Sequence, residues 1–475
     1  MAQGSEQFDL VILGGGNGGY AAAFRATALG MSVAMVEKDK VGGTCLHRGC
    51  IPTKALLHAG ELMDEIKEAG NFGVLVQGEP EVDWGKVLNF KDGVVGRMYK
   101  GLSGLVKAHK IELVEGEGKL AGPRTVVVQT KDGERALQAN KGVLISTGSV
   151  PRELPFIQAD GDRVHNSNHG LTADSIPGSV IVVGGNYIGL EFASIYKSFG
   201  ADVTVVEMLP KIAPAEDDDI SEALHKLLMK RGIKFKLGVT VTGATANDSG
   251  VEVGVEKDGK PETLTAERMF VAIGRSPRTE GIGLEEVGVE TDRGFIVTDL
   301  TYKTSVDGVY AIGDCIHVPE ANWPHPQLAH VAYAEGQAVA ERIAGQDAPI
   351  VDYVNIPHVI YCQPEVAAVG LTEAKAKELG MEVVTKRYAF SANARALMLG
   401  GGQGFVKTVA EKDGAVVGVH IIGPRASDLI SEAMLVTSWE AYPQELGVLV
   451  HPHPTLSEVV GETFLGLAGR PLHGA

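Results

Sequence analysis

Cysteine is scarce: four residues in a chain of 475 exclude a disulfide-stapled secreted scaffold. Positive charge is short as well, since 43 Lys and Arg face 60 Asp and Glu. The resulting net charge of -17 repels phosphate backbones and argues against general nucleic-acid or anionic-membrane binding. No run of about 18 uncharged apolar residues occurs, so no membrane-spanning helix is expected. Between Met1 and Phe8-Asp9-Leu10-Val11-Ile12-Leu13 there is no basic, apolar leader, and a cytoplasmic protein is expected. Aromatic residues reach only 6%, whereas glycine is abundant at 61 residues within a 44% hydrophobic composition, which fits a glycine-turn-rich α/β protein. At about 150 residues per domain the chain has room for roughly three domains.

Of the four cysteines, Cys315 and Cys362 are isolated in sequence and read as ordinary buried or half-buried thiols. The acidic run Glu216-Asp217-Asp218-Asp219 reads as a solvated helix start, because acids favour a helix's first turn; a metal site there is disfavoured.

What is present begins with a repeated unit. Leu10 to Leu13 reads as a strand, Gly14-Gly15-Gly16-Asn17-Gly18-Gly19 as a turn, the alanine-rich stretch as a helix, Ser32 to Val36 as a strand, and Glu37 as its terminal acid. This is a dinucleotide-binding fingerprint. Gly14 permits the tight turn, Gly16 admits a pyrophosphate to the helix N-terminus, Gly19 lets helix pack on strand, and Glu37 suits a ribose hydroxyl. The same order returns from Val180 to Glu207, through Gly184-Gly185-Asn186-Tyr187-Ile188-Gly189, a helix to Phe199 and a strand Val203 to Val206. Spacing from first glycine to acid is identical in the two copies. Asn186 departs from the pattern, and its tolerance is expected to rest on asparagine's ease with positive φ. Glu207 would repel a 2'-phosphate, and Met208-Leu209-Pro210 offers no arginine, so NAD is preferred over NADP.

Between the first acid and the next helix lies Val41-Gly42-Gly43-Thr44-Cys45-Leu46-His47-Arg48-Gly49-Cys50-Ile51-Pro52-Thr53-Lys54. On a regular helix, residues five apart have Cα atoms about 8.6 Å apart, beyond the roughly 7 Å that a disulfide spans. Gly42, Gly43, Gly49 and Pro52 would bend the segment and make a bridge feasible. A metal at this pair would need two further ligands, and only His47 is near in sequence.

These residues resemble the pyridine nucleotide-disulfide oxidoreductases, and the resemblance spans nearly the whole chain. Further matching segments are Ile145-Ser146-Thr147-Gly148, Gly189-Leu190-Glu191, Val271-Ala272-Ile273-Gly274-Arg275, Tyr310-Ala311-Ile312-Gly313-Asp314 and His451-Pro452-His453-Pro454-Thr455-Leu456-Ser457-Glu458. The resemblance implies two Rossmann-like dinucleotide-binding domains and a C-terminal α+β interface domain. The divisions expected are 1–150 for FAD, 151–278 for NAD, 279–350 for a central segment completing the FAD unit, and 351–475 for dimerisation.

The family further implies that Cys45 is the interchange thiol, that Cys50 lies against the flavin, and that Lys54 sits near the flavin N5 paired with Glu191. Asp314 would bind the ribityl chain, and Gly118, Thr147, Gly148 and Ala329 fall where the family touches FAD. Gly184, Gly185, Tyr187, Ile188, Gly189, Glu207 and Gly274 would serve NAD. His453 is expected as the base and Glu458 as its orienting carboxylate, both acting on the partner subunit's disulfide, which makes a homodimer obligatory. His451 and His453 lack a nearby third ligand, and no metal is expected.

The implied activity carries electrons from protein-bound dihydrolipoamide through the disulfide and FAD to NAD+. The implied partners are lipoyl domains and the acyltransferase core of 2-oxo acid dehydrogenase complexes, or a glycine cleavage system. A glutathione-disulfide reductase is disfavoured by Glu207. A mercuric-ion reductase is disfavoured because Gly469-Arg470-Pro471-Leu472-His473-Gly474-Ala475 holds no cysteine pair. A noncatalytic flavin-binding subunit need not keep the complete set of Cys45, Cys50, Lys54, Glu191, His453 and Glu458. His47-Arg48 adds positive charge beside the thiols and is expected to favour the Cys45 thiolate.

Overall fold

The computed structural model describes residues 5–321 and 323–473. The chain forms two compact units. One takes the chain up to Ala55, then Leu88–Arg152 and Gly274–Tyr353; the other takes Leu56–Val87, Glu153–Ile273 and the chain from Val354 onward.

The first unit is built on a seven-stranded sheet. Strand Glu6–Leu13 lies in parallel between Val33–Glu37 and Gly133–Ile145, and Glu112–Glu115 extends the sheet beyond Val33–Glu37. Its apolar run Leu10, Val11, Ile12 and Leu13 is buried throughout, as expected for a parallel strand covered on both faces. The helix Asn17–Ala28 follows, burying Gly18, Gly19, Ala22, Ala23 and Ala26. These small side chains permit close approach to the helix Ala329–Ile343, where a Cβ on Gly336 would lie 2.5 Å from the Gly18 carbonyl oxygen.

The second unit repeats the plan in a five-stranded parallel sheet. Its order is Lys234–Leu237, Asp202–Glu207, Ser179–Val183, Arg268–Val271 and Val164–His165. The same unit contains a five-stranded antiparallel sheet whose strands include Phe405–Glu411 and Val416–Gly423. Helices Ala426–Ser438 and Glu458–Leu467 supply Ile430, Ala433, Val459, Val460 and Phe464 to that sheet's core. Among the described residues no helix is long and apolar enough to cross a membrane.

The acidic run differs from its expected solvated state. Asp217 caps the helix Asp218–Lys230, but Glu216 and Asp217 are each only 2% exposed. The buried Lys407 ammonium contacts Asp217 at 2.8 Å, Asp219 at 2.9 Å and Glu373 at 2.7 Å. Burial alone would raise the Asp217 carboxyl, but Lys407 outweighs it and holds the group below its ordinary range. Lys377 and Lys407 hold Glu373 low as well. Carboxyls depressed in the folded state contribute stability above their unfolded values and lose it as pH falls through the folded ones. Lys407→Met strands the buried Asp217 carboxylate, while Glu373 keeps Lys377 and Asp219 keeps Arg387, and is expected to cost about 3–5 kcal/mol of unfolding free energy near neutral pH. Urea titrations should show that cost shrinking by about pH 5, as the stranded acid takes up a proton; an equal cost at both pH values would contradict this assignment.

Candidate functional site

The two glycine turns have one geometry. Gly14 and Gly184 take φ of +110° and +113°, and a Cβ on either would lie 2.3 Å from a carbonyl oxygen, that of Ser146 or Ala272. A Cβ on Gly19 or Gly189 would lie 1.9 Å from the carbonyl oxygen of Gly14 or Gly184. These four positions require glycine for the fold itself. Both terminal acids are clasped by backbone. Glu37 accepts the Gly15 N–H at 2.8 Å and the Asp39 N–H at 2.9 Å. Glu207 accepts the Gly185 N–H at 2.6 Å and the Leu209 N–H at 2.8 Å.

Gly16 is different, because a Cβ there would meet nothing within 4 Å. It precedes the helix Asn17–Ala28, whose N-terminus has no side-chain cap. Open space beside uncapped first-turn N–H groups fits a dinucleotide pyrophosphate. Asn186 occupies the matching place before the helix Tyr187–Ser198, again without a side-chain cap. Its φ of -109° and ψ of -173° are extended, so asparagine's ease with positive φ is irrelevant here. That part of the sequence expectation is corrected: the backbone at this position suits any residue. Tyr187 and Ile188 open the helix, and the Tyr187 hydroxyl donates to Glu216 at 3.1 Å. Gly274 has φ +112° with open space around it.

Around the first turn, Thr147 and Gly148 follow the strand Gly133–Ile145, and Gly148 takes φ +71°. Ala329 is the first residue of the helix Ala329–Ile343. Gly118 is explained by packing, since a Cβ there would lie 2.7 Å from Leu13 Cδ1 and 2.9 Å from Val36 Cγ1. Asp314 accepts the Ser149 hydroxyl at 2.5 Å, and Arg275 Nε donates to the same hydroxyl oxygen at 2.7 Å. The neighbouring Gly313 N–H is held at 2.7 Å by the fully buried Glu335, which also engages His325 and the Tyr353 hydroxyl at 2.7 Å each.

The cysteines sit on two helices broken at Gly49. Cys45 lies in Gly43–Arg48 and Cys50 opens the long helix Cys50–Glu68, at the positive end of its macrodipole. Gly49, at φ -149° and ψ -115°, leaves helical geometry and folds the segment so that the two sulfurs interact. A hydrogen bond with Cys50 raises the Cys45 thiol most, followed by burial and the charge of Cys50; Asn17 and Lys54 act in the opposite sense. Lys54, one turn beyond Cys50, is therefore a cation that acts on Cys45.

Of the two residues expected to favour the Cys45 thiolate, Arg48 is engaged by Asp39 at 2.5 Å and His47 Nε2 bonds the Val41 carbonyl at 2.9 Å. Residues without an assigned role in the sequence reading also gather here. The Tyr20 and Tyr333 hydroxyls bond at 2.6 Å, and both phenols are pushed up, chiefly by burial, with Cys45 and Cys50 adding to the shift. Burial lowers Arg275 while Asp314 and Cys50 oppose that. Cys315 and Cys362 are fully buried, and burial pushes the Cys315 thiol up to about 11.

In the second unit, Glu191 is 4% exposed and accepts the Tyr361 N–H at 3.1 Å. Near the C-terminus the His453 ring is mostly exposed and bonds Glu458 through Nδ1 at 2.8 Å. The other Glu458 oxygen accepts the Thr455 N–H at 2.8 Å. Burial alone would raise the Glu458 carboxyl, but Thr455 and His453 outweigh it and hold it low. Nε2 of His453 is left on the opposite side of the ring from this bond. His451 pairs with a different acid, Glu432, at 2.8 Å.

Two glycine turns, a paired-thiol helix break and a histidine–carboxylate dyad on one chain define a class, and the chain belongs to the pyridine nucleotide-disulphide oxidoreductases. The family's model matches residues 8–336, and its dimerisation domain matches residues 356–464. Among relatives, dihydrolipoyl dehydrogenase of Bacillus subtilis strain 168 is 42% identical over 478 residues, covering 98% of this chain and 99% of its own. Dihydrolipoyl dehydrogenase of Cupriavidus necator is 42% identical over 482 residues, covering 99% and 100%. The solved structure of LpdA from Mycobacterium tuberculosis matches with a TM-score of 0.88 at 26% identity, covering 97% of this chain and 99% of its own.

Proposed function

We propose that the chain oxidises protein-bound dihydrolipoamide to lipoamide and reduces NAD+, as a homodimer. The observation that carries this is the sulfur pair held together by the break at Gly49, with full-length similarity to dihydrolipoyl dehydrogenases behind it. FAD would be held by the first turn through Gly14, Gly16, Gly19 and Glu37, with Lys54, Gly118, Thr147, Gly148, Asp314 and Ala329 around it. NAD would be held by Gly184, Gly185, Tyr187, Ile188, Gly189, Glu207 and Gly274. The corresponding domains are 1–150, 151–278, 279–350 and 351–475.

In the oxidised enzyme a substrate thiolate attacks Cys45, forming a mixed disulfide as the Cys45–Cys50 bond breaks and Cys50 leaves as thiolate. His453, reaching in from the partner subunit, takes the proton of the second substrate thiol. That thiolate closes the lipoyl disulfide and releases Cys45, which takes up the proton held by His453 and leaves Cys50 as the thiolate. Glu458 orients the imidazole and stabilises its charged form. FAD bound at the first turn would supply the two-electron relay between the dithiol and NAD+. Lys54 and Arg275 place positive charge near Cys50 while that sulfur is negative, and Glu191 positions Tyr361 through its backbone. Glu207 would exclude a 2'-phosphate, which favours NAD+ over NADP+.

Acyltransferase cores with lipoyl domains are the partners, and the cytoplasm is the location this reading favours. The purified protein should oxidise dihydrolipoamide with NAD+ and be slow with glutathione disulfide or mercuric ion and NAD(P)H. The reverse ranking would overturn the reading. Failure to capture an acyltransferase core in a pull-down would remove the docking claim alone. Gly14→Ala is expected to yield colourless protein, because its Cβ collides with the Ser146 carbonyl. Gly184→Ala should stay yellow but need at least about tenfold more NAD+, a loss of some 1.4 kcal/mol in binding. Loss of flavin from the second variant, with the first still yellow, would exchange the two assignments.

A further inference from the structure

The first glycine turn and the cysteine helix pack backbone to backbone. The Gly42 N–H donates to the Gly15 carbonyl at 2.8 Å, and a Cβ on Gly43 would lie 2.8 Å from the Gly16 Cα. That contact sets Asn17, one residue past Gly16, beside Cys45, two residues past Gly43. The Asn17 side chain hydrogen-bonds Cys45 and also the Tyr333 hydroxyl. Tyr333 stands on the helix Ala329–Ile343 and bonds the Tyr20 hydroxyl at 2.6 Å, with the two ring centroids 5.7 Å apart. One chain of hydrogen bonds therefore runs from Tyr20 through Tyr333 and Asn17 to the sulfur.

The fold does not ask for an amide at this place. Asn17 is the first residue of its helix, but the cap position is Gly16 and no side chain caps the helix. In the second turn, where the backbone has the same geometry, the matching residue is Tyr187, and its hydroxyl goes to Glu216. Asn17 pulls both Cys45 and Tyr333 down, so its amide donates to both, one N–H to the sulfur and one to the phenol oxygen. The groups facing Cys45 are Cys50 and Lys54 from the following helix, Asn17 from the first turn, and Tyr20 and Tyr333 from the two helices beside it. Among these, Cys50 opposes a negative Cys45, Lys54 favours it through charge, and Asn17 favours it through a hydrogen bond.

We propose that Asn17 is a catalytic residue of thiol–disulfide exchange, its amide N–H stabilising negative charge on Cys45 Sγ, with Tyr333 and Tyr20 as positioning residues that hold the amide there. Given the exchange role proposed above for the sulfur pair, the step concerned is collapse of the mixed disulfide. The second substrate thiolate attacks the lipoyl sulfur bonded to Cys45, a lipoyl S–S bond forms, and the bond to Cys45 breaks. Its electron pair stays on Cys45 until the proton from the partner subunit's His453 arrives. A sulfur leaves faster as its thiol becomes more acidic, and an N–H donor makes it so.

The test is alkylation of Cys45 by iodoacetamide as a function of pH, on the yellow full-length protein in a Cys50→Ser background. Cys45 is then the one sulfur of the pair, and Cys315 and Cys362 are fully buried. Asn17→Leu keeps the size and removes the donor, so the rate near neutral pH should fall at least about tenfold with the limiting rate at high pH unchanged. Asn17→Asp, of the same size but carrying a like charge, should fall further. Tyr333→Phe should move the profile the same way by a smaller factor. With Cys50 restored, kcat for dihydrolipoamide in Asn17→Leu should fall about tenfold at a KM within about twofold of the parent, because charge reaches Cys45 only as the bond breaks. An unmoved alkylation profile in Asn17→Leu, or Asn17→Asp alkylating as fast as the parent, overturns the proposal. If Asn17→Leu loses its flavin, Asn17→Asp and Tyr333→Phe decide by the same profile. Turnover persisting in Cys45→Ser would remove the exchange reading itself; with Cys45→Ser inactive and the Asn17 profiles unmoved, only the role of Asn17 falls.

Discussion

Cys45→Ser should lower NAD+-dependent oxidation of dihydrolipoamide by on the order of 10⁴-fold or more, the scale seen when a covalent nucleophile is removed from a preorganised site. A serine oxygen cannot form the mixed disulfide, and its proton is far harder to remove than that of a thiol. Cys50→Ser should lose as much, because Cys45 then has no partner from which to regenerate. NADH bleaching of the flavin serves as the control. It needs the second glycine turn but neither sulfur, so both variants should bleach at a rate within a fewfold of the parent. Substantial dihydrolipoamide turnover in either variant would show that the pair is not on the electron path. Loss of bleaching along with turnover would point to structural damage.

Replacing His453 with glutamine should cost about 10²–10⁴-fold in the same reaction, the usual range for a positioned proton acceptor. The demand on this residue is set by the sulfur pair itself. Cys50 and burial hold the proton on Cys45, so two adjacent negative sulfurs are strongly opposed and protons must be taken elsewhere as exchange proceeds. His453 keeps its Nδ1 on Glu458 at 2.8 Å, so a proton taken at Nε2 is stabilised across the ring. Glu458→Gln should therefore fall by less than His453→Gln, because the glutamine amide oxygen can still accept from Nδ1 but the carboxylate charge, held ionised below its ordinary range, is lost. A loss in Glu458→Gln as large as that in His453→Gln would show that the acid does more than orient the ring.

The features legible in the sequence were those imposed by steric exclusion. Gly19 and Gly189 could be read because a Cβ there collides with the carbonyl oxygen of Gly14 or Gly184 within the same turn, a rule that needs no tertiary knowledge; Gly14 and Gly184 collide instead with the distant Ser146 and Ala272 and were legible only through the repeated pattern. Glycine around the cysteines likewise announced a break, which fell at Gly49. Asn186 was misjudged because the fingerprint does not state which glycines have positive φ; this position is extended. The ion pair of Arg48 with Asp39 was not legible, because the partner could have been any of several nearby acids.

Buried charge was the least visible feature. Nothing in Glu216-Asp217 distinguishes it from a surface run, since the lysine that neutralises Asp217 lies 190 residues further on. Asn17, Tyr20, Tyr333 and Arg275 received no role from the sequence for the same reason: only folding brings Asn17 and Tyr333 to the sulfurs.

The clasped acids constrain any attempt to re-engineer coenzyme choice. Glu207 terminates its strand with one oxygen on the Gly185 amide and the other on the Leu209 amide, so it scaffolds the loop in addition to the coenzyme choice proposed for it. Converting this protein to a phosphorylated coenzyme by Glu207→Arg alone would remove the repulsion and release both amides together. A working swap must also rebuild the loop from Met208 onward so that those two donors find new acceptors.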